Sequence, residues 1–185
     1  MGEQHKKHSR REHLNDFHLN VAGEYVYDGA LYACQSDDAK QRRLKRAVWG
    51  MAAILTVAVA AGGCIPAPGM QNCFYVLLPY LGEFLGAASV IWALAKLGMD
   101  WSAVREYNYK KSVAVLPVRT AVTAVFSLLG IVCELIFFFV NDHAGQTFFA
   151  LLYVLLKLTA LLSALVLRAE IMQAEWDKLP KKDNS

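Results

Sequence analysis

Residues Phe74–Leu97 read FYVLLPYLGEFLGAASVIWALAKL, 24 residues of which only Glu83 and Lys96 carry charge. As an α-helix rising about 1.5 Å per residue the stretch reaches roughly 36 Å, enough to cross a hydrocarbon core of about 30 Å with some tilt. Inside it lie Pro79, a pair of small residues spaced for close helix approach (Gly82 and Gly86), and a carboxylate, Glu83, well below any membrane surface. The four-residue spacing of Gly82 and Gly86 suits intramolecular helix packing better than a dimer seam. The reading that follows is an all-α integral membrane protein.

Both flanks repeat the pattern. Upstream, Lys40–Arg46 (KQRRLKR) places five positive charges before an uncharged run, Ala47–Ile65, that matches a membrane span. Pro66, Pro68 and Gly69 then turn the chain back. Downstream, a third apolar span covers 113–140, interrupted by Pro117, Arg119 and Glu134, and a fourth covers 147–167 with Lys157 in its middle. The chain thus divides into a cytoplasmic basic tail and hairpin segment (1–46), a four-helix transmembrane domain (47–167; spans 47–65, 74–97, 113–140 and 147–167) and a cytoplasmic helical extension with a charged tail (168–185).

Composition agrees. With 56% hydrophobic residues, 19% charged ones and a positive mean hydropathy, 185 residues are too apolar for a soluble domain of this size. The net charge of +3 forms no broad basic patch, so no nucleic-acid partner is expected. His5, His8, His13 and His18 belong to a polar tail without Cys or clustered carboxylates, read as a solvated basic segment and not as a metal site. The four cysteines form no C-x-x-C pair, and no Walker A, G-x-G-x-x-G, H-E-x-x-H or G-x-S-x-G motif occurs. No catalytic residue, metal or cofactor is assigned, and the protein is expected not to be an enzyme.

Shorter signals fill the gaps between spans. Asp28-Gly29, flanked by Tyr25, Tyr27 and Tyr32, predicts a β-hairpin across Glu24–Cys34 that must lean on a membrane interface or a partner. Asp100 or Ser102 is placed to cap a short interfacial helix carrying Trp101 and Val104. The fourth helix is expected to run on into water as RAEIMQAEWDKL before Pro180.

Orientation follows from Lys and Arg. Segment 1–46 carries nine, 96–112 four and 168–185 four, whereas 66–73 and 141–146 carry none. Such residues concentrate on the cytoplasmic side, so both termini and the central loop are expected inside a cell membrane crossed four times.

Charges inside spans are costly and should face the bundle and find partners. Idealised helices put Glu83 roughly 4 Å outward of the midplane, Lys157 near it, Glu134 roughly 11 Å outward and Arg119 roughly 11 Å inward. Glu83 and Lys157 are the best match in depth, though a flexible lysine also reaches toward Glu134. One reading is a structural ion pair that fixes helix register. The other is a polar site for a proton, ion or cationic solute with Glu83 and Glu134 as its carboxylates. Cys64 and Cys73 bracket a short outer loop that a disulfide would close, contributing on the order of 2–3 kcal/mol; as small packing residues they need no bridge. Cys133 beside Glu134 sits in an apolar span, where a thiol has little thiolate character. The expected function is that of a non-enzymatic accessory or scaffold protein engaging partners in the bilayer or at its cytoplasmic face. The alternative is a small oligomeric transporter using Glu83, Glu134 and Lys157. Expected partners are the lipid bilayer and a second copy or another membrane protein.

Overall fold

A computed structural model of the chain describes residues 17–19, 25–27, 29–35, 37–141 and 147–179. The expectations for His5, His8 and His13, for the 142–146 part of the turn after the third span, and for the tail from Pro180 onward lie outside the described residues.

In chain order the elements are β1 (Phe17–Leu19), β2 (Tyr25–Tyr27), β3 (Leu31–Cys34), α1 (Asp38–Cys64), α2 (Pro68–Asn72), α3 (Phe74–Leu97), β4 (Val104–Arg105), α4 (Glu106–Lys111), α5 (Leu116–Val140), α6 (Thr147–Gln173) and β5 (Trp176–Lys178). The helices α1, α3, α5 and α6 are each long and apolar enough to cross a membrane. Each packs on the one before it and the one after it, and α6 closes the ring against α1; the seam between α1 and α3 is the thinnest. Short connections and this neighbour order give an up-and-down four-helix bundle.

The bundle is inverted relative to a soluble one. Leu85, Phe139, Phe148 and Leu151 stand 64–82% exposed, whereas Glu83, Ser112, Thr120, Thr123, Ser127, Glu134 and Lys157 are buried at 0–1%. In water that exterior would be a vast unburied apolar surface. At mid-height Ala58, Ala87, Ala124, Ala160 and Ala164 pack together with Leu55 and Val59. Small side chains let helix backbones approach closely.

One end of the bundle carries a sheet. Strand β3 lies between β4 and β5, antiparallel to both: Tyr32 faces Val104 on one side and Lys178 on the other. Its backbone is bonded further to the loops, with Cys34 N–H donating to Trp101 O (3.1 Å) and Gln35 N–H to Glu175 O (2.9 Å). Tyr32 stacks on Tyr109 at 4.3 Å between ring centroids, and Trp176 meets both Trp101 (5.7 Å) and Tyr109 (5.8 Å). This sheet end roofs a dry layer that includes Val48, Val90, Leu94, Leu116 and Leu167. At that end α3 stops at Gly98, whose φ of 70° lies in the left-handed region that glycine adopts freely; its N–H closes on Leu94 O at 3.0 Å.

Three sequence expectations need correction. An antiparallel pair does form near the N-terminus, but it joins β1 to β2 (Phe17↔Tyr27), and β2 does not pair with β3 across the expected turn, whose Asp28 lies outside the described residues. Both edges of β3 are taken by β4 and β5, and a three-stranded sheet packed on aromatics outcompetes a marginal two-stranded one. The short helix begins at Glu106, because Val104–Arg105 pairs with β3; Asp100 instead closes a turn by accepting from Ser102 N–H (3.0 Å) and Oγ–H (2.6 Å). The last helix ends at Gln173 and becomes β5 at Trp176, where pairing with Cys34 replaces further helical bonds. The first helix, which contains most of the 47–65 span, begins at Asp38, so the KQRRLKR run is helical as well.

Candidate functional site

The polar interior comes from helical spacing. On α5, Thr120, Thr123, Ser127, Gly130 and Glu134 recur every three or four residues and are all buried. On α6, Tyr153, Lys157, Ala160 and Ala164 do the same, and on α3 so do Pro79, Glu83, Gly86 and Val90. Three stripes at this period face one another across the bundle.

Glu83 and Lys157 meet at their centre. The Lys157 Nζ donates to Glu83 Oε2 in a fully buried ion pair. Ser127 Oγ–H donates to the other carboxylate oxygen, Oε1, at 2.6 Å. Gly130 lies alongside, so that the Lys157 methylenes run past α5 at ordinary van der Waals distance from where a Cβ would be. The ammonium is 4.6 Å from the ring centroid of Tyr80 and 5.0 Å from that of Tyr153, close enough for cation–π attraction. Both Glu83 oxygens are thus engaged, the condition under which a desolvated carboxylate is tolerated.

Glu134 is held differently. Helix α2 dips back against α3, α5 and α6, and Pro68 and Gly69 are buried. Gly69 N–H donates to Glu134 Oε1 at 3.3 Å. A Cβ at Gly69 would run into that carboxylate and meet Val76 Cγ2 at 3.1 Å, so the close approach requires glycine. Tyr153 is completely buried nearby, and its hydroxyl has no hydrogen-bond partner among the described residues. Lys157 is bonded to Glu83; Glu134 takes the backbone donor from α2.

Arg119 stands apart, donating from Nη1 to Ser89 O on α3 at 2.6 Å. Gly82 and Gly86 both pack within the chain: a Cβ on Gly82 would lie 2.6 Å from the Phe126 ring, and one on Gly86 would lie 2.5 Å from Thr123 Oγ1. Cys64 (exposed) and Cys73 (half-buried) are not joined by a disulfide in the structure, and neither are buried Cys34 and half-buried Cys133. Among the described residues no three His, Cys, Asp or Glu side chains gather to hold a metal ion.

Reading charge alone overlooks Ser127, Tyr80, Tyr153 and Gly69. Three of these had a usable signal. Ser127 lies seven residues before Glu134 on α5, Tyr153 four before Lys157 on α6, and Tyr80 three before Glu83 on α3, each one or two turns along the same face. Gly69 had none, because its role depends on a loop folding back onto a distant helix. Comparison with protein-family models, with curated proteins and with solved structures finds no match.

Proposed function

We propose that this chain is a multi-pass membrane protein with both termini and the 98–115 connection in the cytoplasm, acting as a non-enzymatic accessory or scaffold subunit. The observation that carries the reading is the sheet end. Segments 31–34, 104–105 and 176–178, which flank three different helix ends, are joined into one small sheet cemented by Tyr32, Trp101, Tyr109 and Trp176. Among the described residues, Lys40, Arg42, Arg43, Lys45, Arg46, Lys96, Arg105, Lys110, Lys111 and Lys178 lie toward that end, the pattern of a cytoplasmic face. A cap of paired strands and stacked rings standing on the end of the bundle suits a surface presented to a partner. The charge layer supports the same reading from the other side. Glu83 is matched by Lys157 and Ser127, which fixes the register of α3, α5 and α6.

Two experiments test it. In a cysteine-free background, a thiol at Gln71→Cys should react from outside intact cells, and one at Ala103→Cys only after permeabilisation; both native side chains are exposed. The reverse pattern overturns the orientation. Gently solubilised native membranes should yield the protein in a complex larger than its 20.6 kDa chain and micelle, and Tyr32→Asp should release it. Migration as an isolated monomer would sink the scaffold role.

A second reading, a proton- or cation-coupled transporter, draws on the α5 stripe. Its hydroxyls at Thr120, Thr123 and Ser127 run inward from Glu134 past Glu83 along the bundle axis. Thr120 and Thr123 donate to the carbonyls four residues earlier and Ser127 to Glu83, which leaves oxygen lone pairs facing the interior. This reading requires flux in proteoliposomes that disappears in a folded Glu83→Gln variant.

A further inference from the structure

On the outward side of α5, opposite the polar stripe, a groove of about 520 Å³ runs along Val118, Val122, Val125 and Phe126. The three valines are 44–61% exposed. Arg168 of α6 closes the groove toward the sheet end and is half-buried, yet it makes no hydrogen bond or ion pair among the described residues. A guanidinium offers five donors in a planar fork suited to phosphate, and leaving them unused against an apolar wall is costly.

The depth is that of lipid headgroups. Arg168 lies five residues before the end of α6 and Trp92 five before the end of α3, both roughly 8 Å from their helix ends at the sheet end. Trp92 is 63% exposed with Lys96 Nζ 5.3 Å over its ring, the pairing expected where hydrocarbon gives way to headgroups. From Arg168 the groove extends away from that interface, the direction an acyl chain takes. Val118 to Val125 covers roughly 10 Å of helix.

We propose that this groove seats one anionic phospholipid, its phosphate on the Arg168 guanidinium and one acyl chain along Val118, Val122 and Val125. Basic sites between or beside spans on the cytoplasmic side favour anionic headgroups, and a zwitterionic lipid brings an ammonium that competes for its own phosphate. The seat rests on the membrane-spanning reading above.

The test is native mass spectrometry of delipidated protein titrated with dioleoylphosphatidylglycerol or dioleoylphosphatidylcholine. One phosphatidylglycerol should bind about fivefold more tightly than phosphatidylcholine, the ratio that corresponds to about 1 kcal/mol per basic residue. Arg168→Gln should abolish the preference and Arg168→Lys keep part of it. Val122→Trp should fill the groove and lose the tight lipid, with thermal unfolding unchanged. Equal binding of the two lipids by the native chain, or a preference that survives Arg168→Gln, overturns the seat. So does a dimer that disappears with Val122→Trp, which would make a second copy the occupant. The underlying reading fails separately, if alkaline carbonate strips the protein from membranes.

Discussion

The charge layer at mid-bundle and the sheet at its end are both polar, and they are built on opposite principles. In the layer, Glu83, Ser127 and Lys157 satisfy one another where no water reaches, so each partner is indispensable to the other two. In the sheet, Tyr32, Tyr109, Trp101 and Trp176 bury apolar rings, while backbone groups pair across β3, β4 and β5 within reach of water. A group lost at the exposed rim of the cap is replaced by solvent; a group lost in the layer is replaced by nothing. Substitutions should therefore cost most at mid-bundle and least at the exposed rim of the cap.

The largest effect belongs to the ion pair. Glu83→Gln strands a buried ammonium, and breaking such a pair by removing one partner costs about 3–5 kcal/mol. In detergent this should appear as a large loss in melting temperature. Adding Lys157→Met should recover much of the loss, since the remaining groups are neutral and close in volume. Strictly additive effects would mean that the two residues do not act as a pair, and the contrast between layer and cap would collapse.

Next comes the small-residue seam. Gly86→Val places a Cβ 3.2 Å from Thr123 Cβ and 3.3 Å from its Cα, and the backbone cannot yield as a side chain can. Overpacking of this kind costs about 1–3 kcal/mol. An unchanged unfolding midpoint would show that α3 and α5 separate easily, which the layer between them argues against.

These two sites were also the more legible ones. The four long helices announce themselves by length and lack of charge, and depth arithmetic makes Lys157 the best match for Glu83, with Glu134 left open; Glu83 and Lys157 are in contact in the structure. The sheet was hidden for a physical reason. Strands of two to four residues are too short to show an alternating pattern, and β4 and β5 lie far along the chain from β3. What makes Leu31–Cys34 a strand is the pair of neighbours that the bundle delivers to it, so a local turn signal at Asp28-Gly29 pointed to the wrong pairing. Glu134 shows the same limit: its depth was readable, its Gly69 donor was not.

At the cap, Tyr32→Leu should remove the stacked contact with Tyr109 but leave the β3 ladder intact. A well-placed aromatic pair contributes about 0.5–1.5 kcal/mol beyond its area. Hydrogen exchange should speed up in β3, with little change in the spans. Equal destabilisation of α3 and α6 would mean that cap and bundle unfold as one unit.

The smallest effect sits at the rim, where Asp100 is exposed. Hydrogen bonds from the Ser102 hydroxyl and then from its backbone N–H hold the Asp100 carboxyl below the usual carboxylate range, and the Lys45 ammonium adds to the pull. A depressed value in the folded state means that the ionised form is favoured by folding. The stabilisation is therefore present above the unfolded value of about 3.9 and is lost as pH falls through the lower folded value. Asp100→Asn should be slightly less stable than the native chain at neutral pH, with the gap closing under acid. Ser102→Ala keeps the backbone donor but deletes the stronger hydroxyl bond, so the Asp100 carboxyl resonance should titrate at higher pH, nearer the ordinary value. A midpoint unmoved by Ser102→Ala would show that water already competes successfully with the hydroxyl at this site. The rim of the cap would then gain nothing from its side-chain hydrogen bonds, and its order would rest on the sheet and the stacked rings alone.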